Sequence, residues 1–339
     1  MLKIILIVHY FPSGPSHIVL KMASEEHKLL SQYIKDVHLS LRKSTLKLGA
    51  DAAWQKHCSN EEELTKYAQC MKKLATTHWE SNCNSDASEA TSRITWVVEF
   101  CTDYFNNSTH IKYREKELNI SEKMGLQLDI EESFSNPLKL LDIGSCYNPF
   151  RIYDDFDVLA IDLCPANTSV MQCDFLNVNI GPCNMTDGSM VTELQENSFD
   201  VVTFCFVLEY IPSSELRILA CQNAYKLLKP GGLLIINTPD SKHVGANSKI
   251  IKCWRYTLAH IGFNRIKYEK AKYMHCMAFR KSLHREIAMR WALLYKEPYM
   301  KYAMHIPQDF TVSDDLLTEP IDKETLVDDF QELPFSDLS

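Results

Sequence analysis

Three short apolar runs that each stop at an aspartate constrain this chain more than any other feature. They fall at 138–143, 158–163 and 170–174, and end Leu141-Asp142-Ile143-Gly144-Ser145, Ile161-Asp162-Leu163 and Cys173-Asp174-Phe175. Runs of this length, alternating with helical segments, read as strands of a mostly parallel sheet with helices on both faces. Further strands are expected at 199–206 and 233–237, and helices at 215–228 and 247–261. After Gly262, runs at 265–270 and 273–280 lie close enough to form an antiparallel pair at one edge.

In an open parallel sheet, ligands bind beyond the carboxyl ends of the strands. Gly144, directly after the first run, allows the backbone to turn tightly and approach a ligand without a side chain in between. Asp162, ending the second run, is placed to accept both hydroxyls of a ribose. Asp174 is an acceptor for an exocyclic amine, beside the aromatic face of Phe175. Each alone has an ordinary structural reading, as a turn, a helix cap or a core aromatic; in order at successive strand ends they point to a nucleoside. A dinucleotide site needs G-x-G-x-x-G to bare its backbone N–H groups to pyrophosphate. Here the segment is Gly144-Ser145-Cys146-Tyr147-Asn148-Pro149, with one glycine, which favours a ligand without phosphates.

The first half of the chain has helical periodicity. Leu29, Leu30, Tyr33, Ile34, Val37 and Leu41 form one stripe, Leu64, Tyr67, Ala68, Met71 and Leu74 a second, and Ile94, Val97, Val98 and Cys101 a third. Asn60 before Glu61, Glu62 and Glu63 is a helix N-cap with acids at the positive end of the dipole. Residues 82–92 read as a loop, and the highly charged 109–135 carries no clear assignment. Residues 1–24 are expected to be an N-terminal extension, 25–135 a helical domain, 136–282 the ligand-binding domain and 283–339 a C-terminal segment with an acidic tail. Twelve cysteines scattered through apolar stretches read as reduced thiols of a cytosolic or nuclear protein, and no cysteine or histidine spacing suggests a metal site.

The net charge of −8 conceals opposite segments: −9 over 309–339 and +9 over 249–290. The basic stretch, with Trp254, Tyr256, Tyr268 and Tyr273 interleaved, reads either as a nucleic-acid surface or as a charged helix face and edge strand. Docking of an acidic partner is a third use.

The strand-end residues, followed by Phe199-Asp200-Val201-Val202, by Leu208-Glu209-Tyr210-Ile211-Pro212 and by Leu227-Leu228-Lys229-Pro230-Gly231-Gly232-Leu233, resemble the class I S-adenosylmethionine-dependent methyltransferases over about residues 138 to 281. That resemblance implies an α/β fold with a Rossmann-like seven-stranded sheet, here preceded by a helical domain, and S-adenosyl-L-methionine as the ligand. It places Gly144 against the methionine part, Asp162 at the ribose, Asp174 and Phe175 around the adenine, and the Cys205 backbone at the end of the fourth strand, with Asp142 and Leu163 also expected among the ligand-binding residues. More narrowly, Asp142 to Phe150, Cys173 to Asn177, Thr238-Pro239-Asp240-Ser241, Met277 to Lys281 and Ile306 to Phe310 resemble the SAMTOR family, sensors of S-adenosylmethionine upstream of TOR complex 1. Trp54, His57-Cys58, His78-Trp79 and Arg93-Ile94 agree in order.

Membership would imply a methionine-sufficiency sensor in the cytoplasm that binds the GATOR and KICSTOR complexes when the ligand is scarce, meets lysosomes through those partners, and is released by the ligand. The alternative is a methyltransferase acting on an adenine of large-subunit ribosomal RNA. The fourth strand ends Phe204-Cys205-Phe206-Val207-Leu208, without the acid- or amide-led proline motif that commonly holds an amine, although ring-nitrogen methylation does not need that motif. Glu209 reads as a solvated helix-start carboxylate and Asp240 as a turn residue. Arg93 is either a surface residue at a helix start or the bidentate partner of the ligand's carboxylate; His78, Trp79 and Arg114 are weaker candidates for the site.

Overall fold

The computed structural model describes residues 24–79, 92–240, 244–271 and 274–310. The expected N-terminal extension up to residue 23, the 82–91 loop, Tyr273, the side chains of His78 and Trp79, and the tail from residue 311 lie outside the described residues.

Among the described residues, five α-helices and two π turns precede the sheet. Helix α1 (Glu25–Leu48) starts at Ser24, whose side chain accepts the His27 N–H, and stops at Gly49, which has a φ of +85°. Helices α2 (Ala50–Cys58) and α3 (Glu61–Lys73) follow, the latter capped by Asn60 as expected, and a π-helical turn (Leu74–Trp79) extends it. Helix α4 (Arg93–Cys101) runs into a second π turn (Thr102–Asn106), and α5 (Thr109–Met124) occupies the charged stretch that carried no assignment. Helix α5 has no apolar stripe to read, because the residues it buries are Glu117 and Ser121. Glu117 accepts from buried Arg280, so a polar pair replaces the apolar face on which periodicity depends.

The sheet strands are β1 (Leu138–Ile143), β2 (Phe156–Asp162), β3 (Met171–Gln172), β4 (Asn179–Gly181), β5 (Met185–Asp187), β6 (Met190–Gln195), β7 (Phe199–Cys205), β8 (Leu228–Pro239), β9 (Phe263–Ala271) and β10 (Met274–Lys281). Their order is β4-β6-β3-β2-β1-β7-β8-β10-β9, with β5 paired to β6. Removing the short strands β4, β5 and β6 leaves the seven-stranded class I methyltransferase sheet, parallel except for β10, which runs antiparallel to both neighbours. Strands β4 and β5 went unread because they are three residues each, and β6 because only two of its six residues are buried. The L-K-P-G-G segment is drawn into the start of β8, where pairing with β7 slips between Phe199 and Val201.

Helices α6 (Ser214–Leu227) and α7 (Val244–Ile261) pack on one face of the sheet, and α8 (Arg285–Leu294) packs against α7. The core on the α6 and α7 face includes Leu141, Ile143, Ile161, Phe204, Ile236 and Trp254, and reaches Leu41 of α1 and Trp54 of α2. The other face is covered by Ile94, Trp96 and Val97 of α4 against Leu140, Val201 and Ile235. The helical half thus straddles the sheet: α4 covers one face, while α1 to α3 lean over the carboxyl ends of the strands.

Candidate functional site

A cavity of about 100 Å³ lies between the carboxyl ends of β1, β2 and β7 and helices α2 and α3. Its floor includes Gly144, Asp162, Leu163, Asp174, Phe175 and Cys205, six of the eight residues expected at the site. A narrower annex of about 30 Å³ shares Gly144 and Cys205 and adds Asp142 and Arg93, so all eight line one continuous region.

Gly144 has a φ of +68°, and a Cβ there would meet Val207 Cγ2 at 2.5 Å. The glycine is required both for the left-handed backbone and for the close approach of the β7 loop. Three non-glycine residues beside it also have positive φ: Cys146 (58°), Asn148 (58°) and Phe206 (62°). Such conformations cost of order 1–3 kcal/mol each and cluster where backbone is shaped for a ligand.

The Asp162 carboxylate accepts the Cys146 and Cys164 N–H groups, both at 3.0 Å. These bonds orient it and partly offset burial, which nevertheless pushes its pKa up to about 6. Asp142 Oδ1 accepts from Thr203 Oγ1 at 2.6 Å, whereas its buried Oδ2 has no hydrogen-bond partner among the described residues. Burial raises the Asp142 pKa too; the Ser145 and Thr203 hydroxyls and Arg93 oppose it. An unmet carboxylate oxygen in an annex is an acceptor for a small cationic or N–H group.

Arg93 opens α4, donates to the Tyr147 hydroxyl at 3.2 Å and lies 5.7 Å from the Phe206 ring centre. It lines the annex over the strand ends. Arg114, by contrast, pairs with Glu132 at 3.8 Å and lines neither cavity.

The roof was largely missed. Trp54, Leu64, Tyr67, Ala68 and Met71 line the cavity from above, and Tyr210 from the β7 loop meets them. The Trp54 indole N–H lies 3.1 Å from both oxygens of Asp174. Asp174 also accepts the Leu176 N–H at 3.2 Å and the Asn177 amide at 2.7 Å. A polar chain supports this roof: the His57 ring lies 3.3 Å from Glu63 and 2.5 Å from the Tyr210 hydroxyl, and His38 lies 2.8 Å from that of Tyr67. Burial lowers the pKa of both imidazoles and raises those of Tyr67 and Tyr210, so folding favours the neutral forms. The sequence signal for the roof was the i, i+3, i+4 stripe of α3, which is indistinguishable from a core stripe until its partner is known.

One expectation nearby is overturned. Glu209 is buried, accepts from Thr238 Oγ1 at 2.5 Å and heads no helix; burial raises its pKa. Asp240 is an ion-pair hub, 2.8 Å from Lys270 and 2.9 Å from His275. Trp254 and Tyr256 of the basic stretch are buried at 1% and 8% exposure, which removes them from any nucleic-acid stacking surface. Arg280 and Lys281 are buried as well, the first against Glu117 and Glu132, the second on the Tyr225 and Leu228 carbonyls.

Among the described residues, no helix is long and apolar enough to cross a membrane and no grouping of metal-ligating side chains occurs. The model of a methyltransferase domain matches residues 141–236. A Danio rerio protein described as "S-adenosylmethionine sensor upstream of mTORC1" is 33% identical over 323 residues, 87% of this chain and 80% of its own. Proteins of the same description from Xenopus laevis and Xenopus tropicalis are each 34% identical over 88% of this chain, and this chain covers 80% and 79% of theirs. This chain belongs to that sensor family. In this SAMTOR-family chain the roof helices α2 and α3, which precede the matched methyltransferase segment, complete the cavity.

Proposed function

We propose that this protein binds S-adenosyl-L-methionine between the strand ends and the α1 to α3 roof, and that binding changes how the roof sits. Asp162 would hold the ribose hydroxyls, and Asp174 and Phe175 the adenine. Gly144, Cys205 and Leu163 would supply backbone or close contact, and Asp142 and Arg93 the amine and carboxylate of the methionine part. The unmet Asp142 oxygen and the open backbone at Gly144 suit such a ligand. The functional unit is two-part, a helical half at 25–135 acting on the sheet domain at 136–282.

The single observation that carries a sensing role is the roof's hold on the ligand acceptor, Trp54 on Asp174. A cavity of about 100 Å³ is smaller than the roughly 300–1,000 Å³ of sites for drug-sized ligands, so admission of the nucleoside requires the roof to shift. A ligand biases two arrangements only through its difference in affinity for them, and competition with Trp54 provides that difference. In the direction we propose, the ligand-free form binds the GATOR and KICSTOR complexes and restrains TOR complex 1, and S-adenosylmethionine releases it.

Replacing Asp162 with Ala tests this. Calorimetry on the full chain is expected to show loss of S-adenosylmethionine binding, and capture of the GATOR and KICSTOR complexes is expected to become insensitive to added ligand. Capture that D162A leaves ligand-sensitive would refute the reading. Mapping methylated adenines of ribosomal RNA in cells lacking the protein tests the enzyme alternative: a lost mark restored only by ligand-competent protein would establish it.

A further inference from the structure

A second cavity, of about 280 Å³, lies between α5, α7, α8 and β9. Lys116, Arg255, Arg265 and Arg290 line it together with the aromatic Tyr113, Trp291 and Tyr295. Its carboxylate, Glu117, is committed elsewhere: it accepts from Arg280 Nε at 3.3 Å, from Asn264 Nδ2 at 3.1 Å and from the Leu283 N–H at 2.9 Å.

Arg255 and Arg265 are half-buried, and neither has a carboxylate in ion-pair range among the described residues. Burial pulls the Arg255 pKa down to about 10, and the next influence upon it is repulsion by Arg265. The Arg255 guanidinium lies 3.7 Å over the Trp291 ring and that of Arg265 lies 5.2 Å from the Tyr268 ring. Stacking on a ring fixes a guanidinium while leaving its N–H edges as donors, the geometry that suits a phosphate oxygen pair. Two like charges taken out of water beside each other are unfavourable unless an anion joins them. A monoanion leaves most of four cationic groups unanswered; a dianion with several acceptor oxygens answers more. The volume equals roughly nine waters at ~30 Å³ each, room for a phosphate and a small attached group.

We propose that this cavity is a second ligand site, which takes a phosphate dianion, free or as the monoester of a small molecule. It is separate from the nucleoside cavity and shares no lining residue with it.

Calorimetric titration of the full chain with inorganic phosphate and, separately, with phenyl phosphate tests the proposal, ionic strength being held constant with chloride. Binding of either probe is expected, weakened at least about tenfold in R255Q and in R265Q, as for loss of one charge-assisted hydrogen bond. The tighter probe distinguishes free phosphate from an ester. Because Arg255 supports Trp291, the melting of each variant is followed by circular dichroism, and K116Q, at an exposed position, serves as a variant that leaves the packing intact and is expected to bind several-fold more weakly. The proposal is overturned if neither probe binds, if folded R265Q and K116Q bind as tightly as the parent, or if an RNA oligonucleotide binds here while the phosphate dianions do not.

Discussion

Replacing Trp54 with Phe separates the two tasks of the roof. Phe keeps an aromatic wall but removes the N–H that lies 3.1 Å from both Asp174 oxygens. A carboxylate has about four acceptor positions, and the indole, the Leu176 N–H and the Asn177 amide leave Asp174 with little spare capacity. With the adenine placed at Asp174 as proposed, its amine would have to displace the indole. A hydrogen bond to an ionised group is worth about 1.5–3 kcal/mol net, and the indole is shared between two oxygens, so the lower end applies. W54F is thus expected to bind S-adenosylmethionine about tenfold more tightly. Trp54 is 5% exposed in the main core, and the void left by the smaller ring should destabilise the fold by about 1–2 kcal/mol. Calorimetry and thermal melting of the same samples read the two effects, which have opposite signs. Unchanged or weaker binding by folded W54F would refute competition for Asp174.

Three further perturbations test the site and its supports. Gly144→Ala is expected to abolish measurable ligand binding and to lower the melting temperature, since its Cβ would meet Val207 Cγ2 at 2.5 Å with φ at +68°. Ligand affinity is expected to fall as pH drops below about 6, the pH at which buried Asp162 takes up its proton; because the ionised form is the one that binds, the fall approaches tenfold per unit and is absent in Asp162→Asn, whose residual binding is measured across the same range. Asp309→Ala leaves fully buried Arg217 without the carboxylate that grips both its terminal nitrogens at 2.6 and 2.9 Å, at an expected cost of about 3–5 kcal/mol by thermal melting. Against the upward push of burial, His305 and Arg217 together hold the Asp309 carboxyl well below the usual range, so this contribution is full above the unfolded pKa near 4 and declines as acid protonates the group.

The sheet was legible because its strands are apolar runs long enough to show their ends, and each end carries a residue whose type matters. Leu138 to Ile143 needed no correction. By contrast, β4 and β5 are three residues each, too short for alternation to register. Helix α5 failed for a different reason. Its buried face is Glu117, held by Arg280 about 160 residues away in sequence, and no local pattern marks a carboxylate whose partner is so distant. The signal that was present, Gly125 in the left-handed conformation after Lys123, is a helix stop, but it means little without a recognised stripe before it.

The same distinction separates the floor of the site from its roof. Floor residues follow strands, and topology alone carries Gly144, Asp162 and Asp174 to one edge, so their order in the chain contains their geometry. The roof residues are set by packing between halves: Trp54 reaches Asp174 across 120 positions and the Tyr67 ring lies tilted against that of Tyr210, 4.9 Å between centres. Arg42 of α1 extends that contact, donating to the Glu209 carbonyl at 2.5 Å while lying 3.7 Å from Asp309. A stripe of Tyr67, Ala68 and Met71 predicts burial correctly and cannot say that the surface it covers is a ligand site. The polar residues held the missing information: indole, imidazole and guanidinium groups inside a helical stripe need partners, and at Trp54, His57 and Arg42 those partners are, in turn, the Asp174 carboxylate, the Tyr210 hydroxyl of the β7 loop and Asp309 of the C-terminal segment. A buried donor on an otherwise apolar helix face is therefore the feature to read for a roof, just as an aspartate after an apolar run is the feature to read for a floor.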